Sequence, residues 1–448
     1  MELQGKNVLV VGMARTGIAS ARFLLGRGAR VTISDAQEAE EQAAACRELA
    51  GKGVVLETGG HQLKTFLAAE LIVMSPGVPL EIAPLQAAQE RGIEIISEIE
   101  LAYRFLKTPL IAITGTNGKT TTTALLGEMF RDAGKRVFVG GNIGTPLIDY
   151  VAGPQEDDFV IAEISSFQLE AITSFRPYVS VMLNITEDHL DRYLSFADYI
   201  AAKNRMFMNQ GPEDTAILNF DDSRVMALEN EVRAQKLFFS IRQAVPAGAF
   251  YNGDLHLRYQ GTEVRFTVRD ALLKGIHNIE NMMAAAAVGA VCMLPEKSIR
   301  QSLTEFAGLT HRMEFVDEIQ GVAFYNDSKA TNVGAVVKSL ESLAPPLILI
   351  AGGKDKGGSY EPLRELIRTK TKALVLLGEA REKIFTELGS EVETEMVSSL
   401  NEAVRVAFGK AVPGDTILFS PACSSFDMFT SYAHRGECFK ELVKKLKA

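Results

Sequence analysis

Short β-rich runs alternate with amphipathic segments along the whole chain. In the first hundred residues such runs occupy positions 6–11, 30–34, 71–74 and 93–96. A helical pattern follows the first run as far as Leu25, and Gly26 comes directly after it, as is common at helix ends. Short apolar strands separated by helices are typical of a mostly parallel sheet with helices on its faces. The pattern therefore predicts an α/β domain at the start of the chain.

The same alternation returns twice more. Further strands are predicted at residues 110–113, 159–162, 179–183, 322–325, 347–350, 373–377 and 416–419, and helices at 120–133, 278–294 and 333–340. Residues 215–268 are less regular, with shorter β-like runs. Because a domain averages about 150 residues, a chain of 448 residues suggests about three domains. We therefore predict an α/β protein with domains at residues 1–97, 98–308 and 309–448.

The composition is that of an ordinary globular protein with an acidic excess. The formal net charge is −9, whereas proteins that bind nucleic acids or anionic membranes non-specifically present a basic face, so we expect neither partner. The N-terminus does not resemble a signal peptide and no apolar run is long enough to span a bilayer, which predicts a cytoplasmic protein. Inert thiols of a reducing compartment are expected at Cys46, Cys292, Cys423 and Cys438.

A glycine-rich loop, Thr-Gly-Thr-Asn-Gly-Lys-Thr at residues 114–120, joins a predicted strand to a predicted helix. Phosphates bind well at such a junction, because free N–H groups and the helix dipole face the anion. Gly118 lets the backbone close around phosphates, Lys119 can reach the outer ones, and the hydroxyl of Thr120 can ligand Mg²⁺. Ile113 stands where the usual pattern has its first glycine, so the loop is a shortened variant. It predicts a phosphate-binding site.

An acid and a histidine follow later strands of the same segment. Glu163 comes directly after a predicted strand, where a nucleotide-binding sheet directs an acid toward a metal. His189 lies beside three acids, Glu187, Asp188 and Asp191. A surface histidine is the alternative for His189, but its position after a phosphate loop and Glu163 favours a metal role. Lys203, taken alone, is expected to be a solvated lysine on a helix.

The first segment contains a near match to a dinucleotide-binding fingerprint. Gly12 and Gly17 bracket a turn after the first strand, and Asp35 follows the second strand about 20 residues later. The middle glycine, which permits close approach of a pyrophosphate, is replaced by Ala14. This weakens an NAD-binding interpretation, and a related nucleotide or a purely structural turn are the alternatives.

Two polar clusters adjoin predicted helices. Residues 275–281 precede an alanine-rich helix, where capping by Asn278 is the structural alternative to a binding role. Residues 325–332 follow a strand and precede a helix, and would otherwise be an ordinary charged loop. The carboxyl end of a strand is, however, where α/β proteins bind ligands.

Together these motifs resemble the Mur ligases. The resemblance rests on TGTNGKT, Glu163 in AEISSFQLE, His189 in LNITEDHLDRY, Lys203, GIHNIENMMAA, His311-Arg312, YNDSKATN and SPACSSFD. These motifs occur in the family's order across all three segments. Within the family, the match is closest to the members that add D-glutamate to UDP-N-acetylmuramoyl-L-alanine.

The resemblance implies a Rossmann-like first domain for the UDP-sugar, a central P-loop ATPase-type domain, and a Rossmann-like third domain for D-glutamate. It implies an ATP-dependent amide ligase of peptidoglycan synthesis, and so of cell-wall biogenesis, cell shape and cell division. Such an enzyme would use ATP and two Mg²⁺ ions and would act as a monomer. Another Mur-type or a folylpolyglutamate-type ligase is the alternative.

The resemblance also implies roles for individual residues. Catalytic roles fall on Lys119, Asn142, Glu163, His189 and Lys203. ATP is expected to contact Gly115, Thr116, Asn117, Gly118, Lys119, Thr120, Thr121, Asn278, Arg312, Asp327 and Lys329. The UDP-linked substrate is expected to contact Arg15, Thr16, Asp35, Ser75, Pro76, Gly77 and Asn142. D-Glutamate is expected to contact Thr331, Ser425, Phe426 and Lys354, with Lys356 as the open alternative to Lys354. The metal ligands are expected to be Thr120, Glu163, His189 and Lys203, the last as a carbamate.

Two other classes of protein compete with a ligase. A regulatory or transport ATPase would use the glycine loop as a switch, but it leaves the motifs of the third domain unexplained. An NAD-dependent dehydrogenase would use the first domain, but Ala14 and the lack of a redox constellation disfavour it.

Overall fold

The computed structural model describes residues 1–38, 47, 49–189 and 192–447, so Cys46 and Asp191 lie outside the described residues. Within these ranges the strands form three separate sheets. This confirms the predicted α/β architecture with three domains. None of the described helices is both long and apolar enough to cross a membrane.

The first sheet is wholly parallel, with strand order β3-β2-β1-β4-β5. Its strands are β1 (Asn7–Val11), β2 (Arg30–Ser34), β3 (Val55–Glu57), β4 (Leu71–Met74) and β5 (Glu94–Ser97). Its helices are α1 (Arg15–Gly26), α2 (Leu63–Leu67) and α3 (Ala83–Glu90). Val11 lies opposite both Ser34 and Met74, so β1, β2 and β4 end side by side. The predicted UDP-substrate residues of this domain follow these three strand ends.

The central sheet has the order β14-β13-β12-β11-β10-β9-β6-β8-β7. It is parallel except at the β14 edge, where the β12–β13 and β13–β14 pairs are antiparallel. Its strands are β6 (Leu110–Thr114), β7 (Val137–Gly141), β8 (Phe159–Glu163), β9 (Val179–Met182), β10 (Thr215–Asn219), β11 (Gln235–Ser240), β12 (Gly248–Tyr251), β13 (Leu255–Tyr259) and β14 (Thr262–Phe266). Its helices are α4 (Glu98–Tyr103), α5 (Lys119–Asp132), α6 (Leu147–Ala152), α7 (Ser166–Leu169), α8 (Phe196–Asn204), α9 (Ser223–Ala227), α10 (Ile276–Val291) and α11 (Glu296–Glu305). Short 3₁₀ turns occupy Arg205–Phe207 and Glu229–Glu231.

Helix α10 packs against the helix that follows the phosphate loop and so supports the loop. Its alanines favour the helical conformation, and their small side chains let neighbouring elements approach closely. Residues 282–288 are fully buried and pack in one apolar cluster with Leu125 and Met129 of α5, the helix that follows the phosphate loop. The loop is therefore mounted on a rigid apolar core.

The first and central domains share apolar packing. Phe23 of α1 meets Phe105 edge to face, with ring centroids 5.0 Å apart, and Leu24 belongs to the same cluster as Leu147 and Ile148 of α6. A shared apolar cluster restricts the relative motion of two domains, because separating them would expose it to water.

The third sheet has the order β15-β16-β20-β17-β18-β19, with only the β15–β16 pair antiparallel. Its strands are β15 (Glu314–Ile319), β16 (Val322–Asn326), β17 (Leu347–Gly352), β18 (Thr371–Leu377), β19 (Glu393–Met396) and β20 (Thr416–Phe419). Its helices are α12 (Val333–Ser342), α13 (Arg364–Lys370), α14 (Arg381–Leu388), α15 (Leu400–Lys410) and α16 (Tyr432–Lys445), with a 3₁₀ turn at Glu361–Leu363. Separate apolar clusters cover its two faces, as expected for a largely parallel sheet.

The predicted strands and helices match the observed elements closely. The irregular stretch at 215–268 contains five strands, and its antiparallel hairpins account for the shorter β-like runs. Helix α10 begins at Ile276, earlier than predicted, and Gly275 is its N-cap, so Asn278 does not cap it. Strands β3, β7, β15 and β19 were not predicted, nor were several helices, among them α11, α14 and α15. The shortest of the missed elements, such as β3 and α2, have three to five residues and carry too little periodicity to be recognised.

Candidate active site

The predicted phosphate loop connects β6 to α5 as a turn with an unusual backbone. Gly118 has φ of +87°, and a Cβ atom there would lie 2.3 Å from Oδ1 of Asn281. Both conditions require glycine. The Nζ atom of Lys119 donates to the carbonyl oxygens of Gly115 and Thr116, each at 2.9 Å. The lysine thus folds back over the loop on which a phosphate would rest.

The loop after β9 fixes the phosphate loop from the side. The Asn184 side chain accepts from the Asn117 amide at 2.8 Å and donates to the Asn117 carbonyl at 3.1 Å. The Thr116 hydroxyl donates to the Thr186 carbonyl at 3.1 Å and accepts from the Thr186 amide at 2.9 Å. Asn184 and Thr186 were not predicted from the sequence, although both follow the carboxyl end of a strand, where α/β proteins bind ligands.

Glu163 is the centre of a small polar cluster at the ends of three adjacent strands. It is only 3% exposed. One carboxylate oxygen accepts from the Thr120 hydroxyl at 2.7 Å and the other from Nδ2 of Asn142 at 2.8 Å. Gly141 precedes Asn142 with φ of +97°, and a Cβ atom there would lie 2.5 Å from the Glu163 carbonyl oxygen. The structure therefore brings together three of the predicted site residues.

Lys203 is buried, so the expectation of a solvated lysine is wrong. Its side chain is 1% exposed, and Nζ donates to the carbonyl of Gly115 at 3.0 Å. The ammonium of Lys119 uses the same carbonyl. Burial and the nearby charge of Lys119 hold the pKa of Lys203 well below its usual value. Burial also lowers the pKa of Lys119, although Glu163 and Asp188 oppose the shift. Two amines that converge on one buried carbonyl favour an anionic partner.

His189 lies on the loop after β9, in a left-handed backbone conformation with φ of +56°. Its ring meets the Phe167 ring edge to face, with centroids 4.7 Å apart. Its Nε2 atom is 3.7 Å from a carboxylate oxygen of Asp188. Asp188, in turn, accepts from Nδ2 of Asn332 at 3.0 Å and lies 3.7 Å from Nζ of Lys356. Asp188 therefore joins the central domain to the third domain, a role that was not predicted from the sequence.

The donor set at Glu163 fits Mg²⁺. A carboxylate and the Thr120 hydroxyl are hard oxygen ligands, and Mg²⁺ commonly takes only one or two protein ligands together with water and phosphate oxygens. No group of three or more His, Cys, Asp or Glu residues that could hold a metal occurs in the described parts of the chain. A site completed by substrate phosphates is consistent with both facts.

A cavity of about 690 Å³ lies between the central and third domains, beside the phosphate loop. Residues of both domains line it, among them Asn117, Gly118, His189, His277, Asn281, Arg312, Asp327, Asn332 and Lys356. Burial and the neighbouring Arg312 lower the pKa of His277 to about 4, so its ring is neutral near pH 7. Asn278 supports the cavity from behind, where it accepts from Nδ2 of Asn281 at 3.0 Å.

The residues predicted for the third domain fall into two groups. Asp327 is buried and accepts from the hydroxyls of Ser339 and Ser420, while burial raises its pKa. Lys329 lies 5.0 Å from the centroid of the Tyr432 ring, and burial followed by the charge of Arg312 lowers its pKa to about 8. Both residues lie close to the cavity.

The predicted D-glutamate residues occupy neighbouring loops of the third domain. Ser425 is buried, whereas Phe426 is 71% exposed. Thr331 is half-buried just before α12. The backbone of Lys354 exchanges hydrogen bonds with that of Ser424 at 3.0 and 3.1 Å, which ties the two loops together. The side chain of Lys354 is exposed, whereas Lys356 lines the cavity.

The buried Arg435 supports these loops and was not predicted from sequence. It donates to the hydroxyl of Ser328 at 3.0 Å and to the carbonyls of Cys423 and Ser424, each at 3.1 Å. One guanidinium thus holds the loops after β16 and β20 in register.

The predicted UDP-substrate residues share one edge of the first sheet. Asp35 accepts from the amides of Met13 at 2.5 Å and Gln37 at 2.8 Å, so its carboxylate stabilises the two loops beside it. The Ser75 hydroxyl donates to the Gly12 carbonyl at 3.1 Å. At the start of α1, Arg15 is exposed and Thr16 half-buried, and Pro76 and Gly77 follow β4.

Comparison with known proteins agrees with this geometry. Three family models match the chain in order: the MurD-like Mur ligase N-terminal domain at residues 6–97, the Mur ligase middle domain at 113–289, and the Mur ligase glutamate ligase domain at 311–423. A UDP-N-acetylmuramoylalanine–D-glutamate ligase of Geotalea uraniireducens is 52% identical over 447 residues, which cover 100% of this chain and 99% of the relative. The chain belongs to the Mur ligase family.

Solved structures agree with the Mur ligase fold. A pseudomurein peptide ligase type C from Methanothermus fervidus is 20% identical, with a TM-score of 0.63 over 99% of this chain and 100% of that one. A MurF ligase from Thermotoga maritima, solved in complex with ADP, is 15% identical, with a TM-score of 0.60 over 99% of this chain and 96% of that one. Mur ligases are ATP-dependent ligases, so the predicted enzyme class and the use of ATP are confirmed.

Proposed function

We propose that this chain joins D-glutamate to UDP-N-acetylmuramoyl-L-alanine at the expense of ATP, forming ADP and phosphate in peptidoglycan synthesis. The observation that carries the proposal is the 52% identity over the full chain to a Mur ligase named for this reaction. The cluster of Thr120, Glu163 and Asn142 beside the phosphate loop supports it, because these side chains can serve both a phosphoryl group and a substrate carboxylate.

The chemistry of amide formation defines what the site must do. A carboxylate is a poor electrophile, and transfer of the γ-phosphoryl group of ATP to one of its oxygens gives an acyl phosphate with a good leaving group. The amine of D-glutamate then attacks the carbonyl carbon and loses a proton. The tetrahedral intermediate expels phosphate to leave the amide. Such reactions are accelerated mainly by positioning and charge neutralisation.

Residues around the phosphate loop fit the first step. In this proposal Lys119 binds the β- and γ-phosphates, and Thr120 and Glu163 hold Mg²⁺, which neutralises charge on the transferred group when bound. Asn142 orients the substrate carboxylate through the amide that now donates to Glu163. The amides of Thr116 and Asn117 already donate to Asn184, so the phosphates would be faced by the free N-terminus of α5, which begins at Lys119.

A second Mg²⁺ would be held by His189 and a carbamylated Lys203. A neutral amine can add CO₂ and release a proton, which gives a carbamate anion in place of the lysine ammonium. The lowered pKa of Lys203 favours the neutral form needed for this addition. The neighbouring Lys119 ammonium would then stabilise the product by charge.

The third domain is proposed to present D-glutamate across the cavity. Thr331, Ser425 and Phe426 would contact it, and its carboxylates need a cation. Lys354 was the first choice from sequence, but Lys356 lines the cavity and lies 3.7 Å from Asp188. We therefore favour Lys356 for this contact.

The proposed domain limits assign one substrate to each domain. We propose a UDP-sugar domain at residues 1–97, an ATP domain at 98–308 and a D-glutamate domain at 309–448. In the ATP domain and beyond it, Asn278, Arg312, Asp327 and Lys329 would surround the nucleotide, with Thr121 behind its phosphates. We further propose that the enzyme acts as a monomer in the cytoplasm, where ATP and UDP-linked precursors are available.

Phosphate release from ATP tests the proposal. The purified enzyme is incubated with UDP-N-acetylmuramoyl-L-alanine and, in turn, D-glutamate, L-glutamate, lysine or diaminopimelate. We expect release to depend on D-glutamate and on the UDP-linked substrate together. Release that requires a different amino acid would replace the proposed substrate, and release without any amino acid would refute ligation.

A further inference from the structure

Arg192 connects the first domain to the central domain. Its side chain is only 14% exposed and reaches from the loop that carries His189 to the loop after β4. There its Nη1 atom donates to the Pro76 carbonyl at 3.2 Å and Nη2 to the Val78 carbonyl at 3.0 Å. One arginine therefore binds the carbonyl groups on both sides of Gly77, in the segment predicted to contact the UDP-linked substrate.

The same guanidinium is fixed from the side of the central domain. Nη2 donates to a carboxylate oxygen of Glu170 at 2.8 Å, and the guanidinium carbon lies 4.6 Å from the centroid of the Phe167 ring. The Phe167 ring also packs edge to face against the His189 ring. Arg192 and His189 thus contact the same aromatic ring.

Arginine suits this position better than any other residue. Its planar fork can donate to two carbonyls and a carboxylate at once, whereas lysine presents a single point charge on a flexible stem. The loop it holds includes Gly77, whose backbone loses more freedom on ordering than any other residue type. Within the loop, the Val78 amide donates to the Ser75 carbonyl at 3.1 Å, and the two bonds from Arg192 add contacts from the central domain.

We propose that Arg192 is a positioning residue that fixes the loop at residues 75–78 against the central domain. It thereby sets the distance between the bound UDP-sugar and the phosphate loop. This inference rests on the proposed function for its kinetic consequences, but its structural consequence does not. Arg192 itself touches no reacting atom in this scheme.

Kinetics of the ligation reaction test the positioning role. Loss of two hydrogen bonds from a charged donor should raise KM for UDP-N-acetylmuramoyl-L-alanine in Arg192→Ala by about 10- to 100-fold. KM for ATP should stay within about twofold, because the phosphate loop is held by other residues. Arg192→Lys should be intermediate. Glu170→Gln removes the ion pair with Arg192 but leaves the bonds from Arg192 to the Pro76 and Val78 carbonyls. This variant should resemble the wild type, which would show that loss of the ion pair alone does not raise KM.

Arg205 provides a matched control. It also donates to two backbone carbonyls, those of Leu169 at 2.8 Å and Ile172 at 2.6 Å, but all three residues belong to the central domain. Arg205→Lys should therefore leave KM for the UDP-linked substrate within about twofold of the wild-type value. Equal increases in Arg192→Lys and Arg205→Lys would reduce Arg192 to a general stabilising residue and overturn the proposal.

Hydrogen exchange, measured by mass spectrometry without any substrate, tests the structural consequence separately. Amides at residues 75–80 should exchange at least about threefold faster in Arg192→Lys than in the wild type or in Arg205→Lys. Unchanged exchange in that segment would overturn the inference even if the ligation assay succeeds. Faster exchange in a protein that fails to ligate D-glutamate would instead uphold the positioning role and refute the proposed function.

Discussion

Replacement of Glu163 by glutamine separates the catalytic from the structural role of the cluster beside the phosphate loop. The carboxylate is 3% exposed and accepts from Thr120 at 2.7 Å and Asn142 at 2.8 Å. Glutamine has the same shape and can still accept from Asn142 while donating to the Thr120 oxygen. Both hydrogen bonds can therefore be rebuilt, but the negative charge that would hold Mg²⁺ is lost.

The effect on stability should be small, because two terms oppose each other. A hydrogen bond to a charged group contributes about 1.5–3 kcal/mol and a neutral one about 1 kcal/mol, so two weakened bonds cost about 1–4 kcal/mol. Removal of a buried charge recovers a desolvation penalty of several kcal/mol. We expect the net change to lie within about 2 kcal/mol, and the Tm to move by less than about 8 °C.

The effect on catalysis should be large. Loss of one preorganised electrostatic contact to a transition state lowers kcat by about 10²–10³-fold, and we expect that range for Glu163→Gln in the phosphate-release assay. Glu98→Gln is the control: Glu98 is equally buried, accepts from the Ile148 amide at 2.7 Å, and has a pKa raised to about 7 by burial. It should keep near-normal activity. A fully active Glu163→Gln enzyme would refute the metal assignment, and an unfolded one would refute the stability argument.

Three further results are expected. Lys356→Ala should raise KM for D-glutamate by about 10-fold or more, because it removes a cavity-lining cation beside Asp188. Lys354→Ala should change this KM by less than about threefold. Initial rates measured at varied D-glutamate concentration distinguish the two residues. If Lys203 acts as a carbamate, removal of CO₂ and bicarbonate should lower the rate and their return should restore it, while Lys203→Ala should not respond. Because Lys329 has a pKa of about 8, it carries its charge below that pH, so KM for ATP should rise as pH increases from 7 to 9, and Lys329→Arg should flatten the profile.

Local sequence pattern was sufficient for much of the fold and for the phosphate loop. Buried parallel strands appear as continuous apolar runs, and the loop at 114–120 is a contiguous motif, so both are visible without any long-range information. The position of Glu163 after a predicted strand indicated its role, and the resemblance supplied Asn142; the structure places both in one hydrogen-bonded cluster with Thr120.

Contacts between distant segments could not be predicted in this way. The bond from Asn332 to Asp188 spans 144 residues and that from Arg192 to Pro76 spans 116, and neither pair has a local sequence signal. Lys203 appeared solvated because its helix is short and weakly amphipathic, whereas its burial depends on the phosphate loop 88 residues earlier. In each case the determining partner belongs to another strand end or another domain.

Asp188 connects the third domain to the loop beside the phosphate site. It contacts Asn332 and Lys356 of the third domain, all three residues line the cavity, and it neighbours His189 in sequence. Although burial opposes ionisation, Lys356 and His189 hold the pKa of Asp188 below its usual value. An ionised Asp188 near pH 7 therefore keeps the two domains together around the proposed D-glutamate site.

The fate of the substrate carboxylate oxygen tests the central claim most directly. UDP-N-acetylmuramoyl-L-alanine labelled with ¹⁸O in its free carboxylate is incubated with ATP and D-glutamate, and the products are examined by mass spectrometry. An acyl phosphate requires one ¹⁸O atom to leave with each phosphate as the D-glutamyl amide forms. Phosphate without ¹⁸O, with the lost label found in water instead, would contradict phosphorylation of the carboxylate.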